Sequence, residues 1–227
     1  MSRFLLIETS TERGVFGLSQ DENILFCEEL PFGTTQSRFL MPRLAEFIQQ
    51  NSLRSEDLTF IGIGTGPGSY TGIRVGMSVA QALSYSWKIP LVGVSSLDGF
   101  VPSKKNVPFA AIIDARIGGA YVRKGILTDQ GIDYLCEPSI YSLAELGTFL
   151  KDVKILVTPF FQSLKLKLEK QYPDLTWTWE EKAPSLDALA HRMNLAYRNK
   201  AWTNKGHLEL LYLRETEAER EKNKSSS

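Results

Sequence analysis

The chain has 227 residues, of which 43% are hydrophobic and 23% are charged, values typical of a globular protein with a substantial core. Its 26 basic and 26 acidic residues balance, so no overall field attracts nucleic acid or a membrane surface. The N-terminal apolar run, residues 4–7, is too short for a signal peptide or a membrane span, and two cysteines are too few for a disulfide framework. We therefore expect a cytoplasmic protein with no membrane contact.

The first part of the chain combines three short apolar strands with amphipathic helices. Strands are predicted over 3–8, 14–19 and 24–30, and their short connections favour an antiparallel meander. Apolar residues at helical spacing predict a helix over 37–51, in which Pro42 indicates a late start or a kink. A strand over 59–64, a helix over 71–86 and a strand over 90–94 follow.

The second part begins much as the first does. AAIIDAR (110–116) matches FLLIETS (4–10) in form, because each is an apolar strand that ends in an acid, Asp114 or Glu8. Further elements are predicted over 142–151 (helix), 153–158 (strand), 162–171 (helix) and 185–199 (helix). The likeness predicts two related lobes, 1–101 and 102–214, with a boundary in the polar stretch 102–108 and a flexible tail over 215–227.

The segment GTGPGSYTGIR (64–74) leads from a buried strand into a helix. It lacks the Lys of a P-loop and the third glycine of a dinucleotide fingerprint. A capped helix start still favours an anion, and a cation in the first helical turn is otherwise disfavoured by the helix dipole. A possible anion site therefore comprises Gly66, Gly68, Ser69, Thr71 and Arg74. A capped turn with a solvated arginine explains the same residues equally well.

Three small residues follow on one face of the same helix, at intervals of four: Gly72, Gly76 and Ala80. Glycine inside a helix costs about 1 kcal/mol relative to alanine, so two on one face predict the close approach of another backbone. The sheet beneath the helix is the favoured neighbour, and a partner's helix is the alternative.

Several segments together resemble the TsaB (YeaZ) family. They are IETST (7–11), TGPGSYTGIRVG (65–76), GVSSL (93–97), IDARIGGAY (113–121) and YLR (212–214). The resemblance implies an α/β protein with a two-lobed actin/Hsp70/sugar-kinase-like (RNase H-like) fold, each lobe a mixed sheet with helices. Three positions depart from the family pattern: Glu8 where Asp is usual, Thr34 where many members have His, and Gly119 where Glu is frequent.

The resemblance also implies a role. TsaB proteins are non-catalytic subunits that bind the enzyme TsaD and, with the ATPase TsaE, support threonylcarbamoylation of adenosine 37 in ANN-decoding tRNAs. The implied partners are thus a TsaD-like enzyme, a TsaE-like ATPase and, for the isolated chain, a second copy; tRNA is reached only through the complex.

The family's interface helices map to about 37–51 and 71–86. The predicted interface residues are Leu40, Arg43, Leu44, Phe47, Ile73, Arg74, Met77 and Gln81. Periodicity leaves open which of them face the partner and which the core. On this hypothesis, Met77→Asp or Ile73→Asp leaves the fold intact and abolishes binding of TsaD.

An enzyme is the alternative, with Glu8 and Asp114 facing each other across a cleft to hold Mg-nucleotide. The simpler interpretation is that Glu8 ends a strand and Asp114 pairs with Arg116 or caps a turn. No metal or cofactor is expected, because His191 and His207 are 16 residues apart in the chain with no third ligand in view. Direct RNA binding through Lys165, Lys167 and Lys170 beside Tyr172, Trp177 and Trp179 is less favoured than a solvated helix followed by core aromatics.

Overall fold

The computed structural model describes residues 1–33, 37–116, 118–204, 208–211 and 213. The predictions for Thr34, His207, Tyr212, Arg214 and the tail 215–227 lie outside these residues.

A five-stranded mixed sheet forms the first lobe. Its strands are β1 (Arg3–Glu8), β2 (Val15–Gln20), β3 (Asn23–Glu29), β4 (Phe60–Gly64) and β5 (Leu91–Val94), in the order β3-β2-β1-β4-β5. The first three strands form the predicted antiparallel meander, and β4 and β5 are parallel to β1. Helix α1 (Ser37–Gln50) precedes β4, and helix α2 (Tyr70–Trp87) connects β4 to β5. Because α1 begins at Ser37, ahead of Pro42, the late start that Pro42 suggested is wrong.

A second sheet repeats this arrangement. Its strands are β6 (Pro108–Asp114), β7 (Gly119–Thr128), β8 (Gly131–Tyr134), β9 (Ser139–Ser142), β10 (Ile155–Thr158) and β11 (Thr178–Glu181). The order is β11-β10-β6-β7-β8, with β9 also paired to β7. Three further helices occur in this part of the chain: α3 (Leu143–Phe149), α4 (Gln162–Gln171) and α5 (Leu186–Arg198).

The two sheets share one topology, a central strand flanked by an antiparallel hairpin on one side and parallel strands on the other. Strand β6 corresponds to β1, β7 to β2, and β10 and β11 to β4 and β5. The duplication predicted from the two acid-terminated strands is thus present in the fold. The predicted α/β fold, with two lobes that are each a mixed sheet with helices, is confirmed.

Side chains of β1 alternate between two cores because successive residues of a strand point to opposite faces. Leu5 and Ile7 pack with α1 and α2, whereas Phe4 and Leu6 pack with α5. Helix α5 therefore covers the first sheet, although the sequence assigned its residues to the second lobe. The reason is that β1 and β4 are buried on both faces, and among the described helices it is α5 that packs against the second face.

The second sheet is also covered on both faces. One of its faces packs against the connection between the lobes. A short 3₁₀ turn (Ser96–Gly99) and Phe100 pack against β6 and β10, while α3 and α4 cover the opposite face. In the described part of the chain, no helix combines the length and apolar character that a membrane crossing requires.

Candidate partner interface and interlobe cleft

The glycine-rich loop is attached to the first hairpin and caps α2. Ser69 accepts a hydrogen bond at its hydroxyl from the Gly72 N–H (3.3 Å), and the Ser69 N–H donates to the Ser10 carbonyl (2.6 Å). A Cβ at Gly68 would collide with that same carbonyl, so only glycine allows the loop to lie this close to residue 10. Ser69 thus acts here as a helix cap between two segments of the same chain.

The glycines of α2 face the end of β1. A Cβ at Gly72 would collide with the carbonyl oxygen of Thr9, and one at Gly76 with the Thr9 hydroxyl. The Thr9 hydroxyl in turn donates to the Gly72 carbonyl (2.8 Å), and Ala80 is fully buried. The backbone that approaches this stripe therefore belongs to the chain's own first strand.

Arg74 has a partner on its own helix. Its guanidinium lies 3.8 Å from the centroid of the Tyr70 ring, one turn earlier, in a cation–π contact. Thr71 is exposed beside it. The aromatic contact explains a cation near the helix start without a bound anion, and the anion site stays a prediction.

Five of the eight predicted interface residues lie in the core of the chain. Each is at most 4% exposed: Leu40, Leu44, Phe47, Ile73 and Met77. All of them except Ile73 belong to the apolar cluster that contains Leu5 and Ile7 of β1. The physical reason is that β1 and β4 present an apolar face to α1 and α2, which takes up the apolar side of each helix. Substituting Asp at positions 73 or 77 would bury a charge, so from the structure we expect such variants to lose stability rather than to keep their fold.

The remaining predicted residues lie nearer the surface. Arg43 is exposed and forms ion pairs with Glu28 and Glu46, both at 3.4 Å, Arg74 is exposed, and Gln81 is half-buried. We use the name outer face for six exposed residues of α1 and α2: Met41, Ala45, Tyr70, Arg74, Ser78 and Tyr85. Arg43 is not one of them, because it points to Glu28 of the edge strand β3.

Sequence reasoning missed the aromatic members of the outer face. Tyr70 is 44% exposed, Tyr85 is 88% exposed, and Met41 on α1 is 50% exposed. A signal for them was present, because Tyr70, Arg74, Ser78 and Tyr85 fall on one helical stripe, separate from the glycine stripe.

Glu8 is buried at the end of β1. Its Oε1 accepts a hydrogen bond from the Ser10 N–H (2.5 Å), and its Oε2 has no hydrogen-bond partner among the described residues. Burial raises the pKa of the carboxyl above its usual value and outweighs the opposing effect of the neighbouring Ser10 and Ser96. Gly64 leaves the space that this carboxyl occupies, since a Cβ there would fall on Oε2.

Asp114, the corresponding acid of the second lobe, is fully engaged. Its Oδ1 accepts from the Arg116 N–H (2.8 Å), and its Oδ2 accepts from Ser163 (2.9 Å) and from Lys167 (3.2 Å). The contact of Asp114 with Arg116 was predicted, whereas its contact with Lys167, 53 residues away in the chain, was not. The charge of Asp114 is thus compensated within its own lobe.

The two hairpin turns are joined to each other across the cleft. Arg116 of the second lobe forms an ion pair with Glu12 of the first, and Arg13 pairs with Glu181 at 3.6 Å. These contacts link the ends of the lobes above the buried Glu8.

The residues considered for metal and RNA binding have other partners. His191 is exposed, and its Nδ1 lies 3.2 Å from Glu22. In the residues that the structure describes, no group of three or more His, Cys, Asp or Glu side chains is placed to hold a metal. Lys165 pairs with Glu169 (3.8 Å), and the aromatics of the proposed RNA patch pack against the core of the second lobe: Tyr172, Trp177 and Trp179.

Comparisons with known proteins agree with the resemblance to TsaB that the sequence motifs indicated. The family model described as TsaD: tRNA N6-adenosine threonylcarbamoyltransferase matches residues 35–201. The tRNA threonylcarbamoyladenosine biosynthesis protein TsaB of Escherichia coli is 33% identical over 135 residues, covering 57% of this chain and 58% of that protein. TsaB of Bacillus subtilis is 35% identical over 83 residues, covering 36% of each. The matched regions thus span about half or less of these curated relatives.

The solved structure of YeaZ from Pseudomonas aeruginosa superposes with a TM-score of 0.76, covering 93% of this chain and 100% of that one. At 17% identity this likeness shows the fold alone. The family model spans well over half of the sequence, and the relatives named TsaB bear out the resemblance of the sequence motifs. The chain therefore belongs to the TsaD family of tRNA N6-adenosine threonylcarbamoyltransferases, within its TsaB (YeaZ) group.

Proposed function

We propose that this chain is a cytoplasmic, non-catalytic subunit that binds and activates a TsaD-like enzyme. With a TsaE-like ATPase, the complex threonylcarbamoylates adenosine 37 of ANN-decoding tRNAs, and tRNA is contacted only through the complex. The observation that carries the proposal is the similarity to relatives named TsaB, which is joined by the family-model match over residues 35–201. The geometry of α1 and α2 supports it.

The outer face is the surface that we propose for the partner. The opposite sides of α1 and α2 are already occupied by the first sheet, so only the outward side chains are available. Those side chains combine exposed aromatics (Tyr70 and Tyr85) with an exposed arginine and methionine. Tyr, Met and Arg are the residue types that are enriched in protein interfaces. In the absence of TsaD, we propose that the same face pairs with a second copy of the chain.

Ser78 provides the test, because it is exposed in the middle of the α2 stripe. We expect Ser78→Arg to weaken the complex with TsaD at least about 100-fold, or about 2.8 kcal/mol, since a long charged side chain would replace a small one at a packed surface. The measurement is a titration of purified TsaD with each variant, followed by size-exclusion chromatography with light scattering.

Thr148→Arg serves as the matched control, since Thr148 is an exposed hydroxyl residue on α3 of the other lobe. This variant should bind TsaD as the wild type does. Equal affinity of Ser78→Arg and wild type would contradict the assignment of the outer face, whereas failure of the wild-type chain to bind TsaD would contradict the function itself.

The enzyme alternative keeps one specific observation in its favour, the buried Glu8 carboxyl whose Oε2 has no partner among the described residues. Calorimetric titration of the isolated chain with Mg-ATP distinguishes the two functions. We expect no binding, because Asp114 already pairs with Lys167 and the hairpin turns are linked by Glu12 and Arg116. Saturable binding that Glu8→Gln abolishes would favour the enzyme.

A further inference from the structure

A cavity of about 400 Å³ lies between the end of β5, helix α5 and the second lobe. It is separate from the outer face and lies within the range of about 300–1,000 Å³ that small-molecule sites occupy. Its walls include Val94, Leu195 and Leu211, which are apolar, and its charged side chains come from both lobes.

A buried ion pair forms the charged part of the wall. Asp98, which is 1% exposed, pairs through Oδ1 with Nη1 of Arg123, which is 5% exposed. The other nitrogens of Arg123 are also engaged, since Nε donates to the Cys136 carbonyl (3.3 Å) and Nη2 lies 3.6 Å from Glu137. Its guanidinium lies over the Tyr134 ring, 3.6 Å from the centroid. Arg123 is therefore fixed on every side.

Arg192 of α5 is different, because only part of its guanidinium is used. Its Nε donates to Oδ2 of Asp98 (3.3 Å), and the described residues supply no hydrogen-bond acceptor to its two terminal nitrogens. The Arg192 side chain is 35% exposed and lines the cavity. Asp98 thus holds the arginine by one edge, and the guanidinium lies 5.6 Å from the centroid of the Tyr134 ring. Its terminal nitrogens are left with no acceptor among the described residues.

The charges at the cavity leave one positive charge without a buried counterion. Two arginines share the single buried carboxylate of Asp98, and the fourth charge, Glu137, has a side chain that is 88% exposed to solvent. Counted with Glu137 the four charges cancel, but Arg192 shares the carboxylate that it contacts with Arg123, so one additional carboxylate would give Arg192 a counterion of its own. A second negative charge would face Asp98 and Glu137 at short range, which is unfavourable in a partly desolvated cavity.

We propose that this cavity binds a small monocarboxylate with a compact apolar body. The carboxylate pairs with the two terminal nitrogens of Arg192, the geometry in which arginine binds carboxylates most strongly. The apolar body lies against Leu195, Val94 and Leu211.

Isovalerate is a suitable probe, with its neutral isostere isovaleramide and inorganic phosphate as comparisons. The full-length chain is titrated with each compound, and amide chemical shifts are followed by NMR. We expect saturable shifts with isovalerate around residues 94–98 and 192–196, at least about tenfold weaker binding after Arg192→Gln, and no saturation with the amide or with phosphate. Arg198→Gln, an exposed arginine on the same helix, should leave binding unchanged.

Leu195→Trp is a second variant, which fills the cavity without removing a charge. It tests ligand binding in the cavity if Arg192→Gln fails to fold. It should abolish isovalerate binding. Absence of saturable isovalerate binding, equal binding of isovaleramide or phosphate, or full affinity in a folded Arg192→Gln or Leu195→Trp variant would each overturn the proposal.

Discussion

Met77 lies on the side of α2 that packs against the first sheet, with 4% of its surface exposed. We expect Met77→Asp to lower the free energy of unfolding by at least about 3 kcal/mol, because it removes an apolar side chain from the core and buries a carboxylate without a partner. Urea unfolding followed by circular dichroism measures the change. Met41→Asp, at a 50% exposed position on α1, should cost less than about 1 kcal/mol, and a similar small loss at position 77 would contradict the core assignment.

Glu8 predicts a pH dependence of stability. Since burial raises its pKa in the folded state, the folded chain holds a proton that the unfolded chain has released at pH values above the ordinary glutamate pKa. The stability that this proton supplies is complete below the unfolded pKa and is lost as the pH rises through the folded pKa. Glu8→Gln keeps an acceptor oxygen for the Ser10 N–H and removes the titration.

We therefore expect the wild type to lose stability relative to Glu8→Gln as the pH rises above the ordinary glutamate pKa. Urea unfolding at several pH values gives the two curves. Glu56→Gln, which changes an exposed glutamate, should run parallel to the wild type. Parallel curves for Glu8→Gln and wild type would show that the carboxyl titrates alike in both states.

At the scale of elements, the stability of helix α2 depends on Ser69, the residue that caps its start. Ser69→Ala removes the acceptor of the Gly72 N–H and should lower the free energy of unfolding by about 1 kcal/mol. Ser86→Ala, near the other end of the same helix, should change it by less than about 0.5 kcal/mol. Chemical denaturation in a buffer without phosphate or sulfate makes the comparison. Unchanged stability of Ser69→Ala would leave anion binding as the better explanation of this residue.

Helices and strands whose apolar residues recur at a clear period were predictable from the sequence, and those without such a period were not. Helix α4 occupies its predicted range, 162–171, and most other boundaries differ by one or two residues. Strands β8 and β9 were missed, because four-residue edge strands with mixed exposure leave too few apolar residues to show an alternation.

At the scale of the whole molecule, α5 packs against the sheet that is formed by the first part of the chain. Met193 is fully buried against Gly62 of β4, where a Cβ would fall on the methionine sulfur. We expect Met193→Ala to lower the free energy of unfolding by about 2–5 kcal/mol by leaving a cavity between α5 and the first sheet. Thermal and urea unfolding of the full chain measure it. Leu195→Ala, 42% exposed on the same helix, should cost less than about 1 kcal/mol, and equal effects would contradict this packing.

The amino-acid sequence by itself determined the local elements, the duplication of the lobes, the family resemblance and the need for a close neighbour at Gly72 and Gly76. These follow from periodicity and from steric limits, which act over a few residues. Only the tertiary structure decided that the apolar sides of α1 and α2 belong to the core, that α5 returns to the first lobe, and that Asp98 joins Arg123 to Arg192. A helical period shows that one side of a helix is apolar; whether a sheet or a partner covers it depends on contacts between segments far apart in the chain.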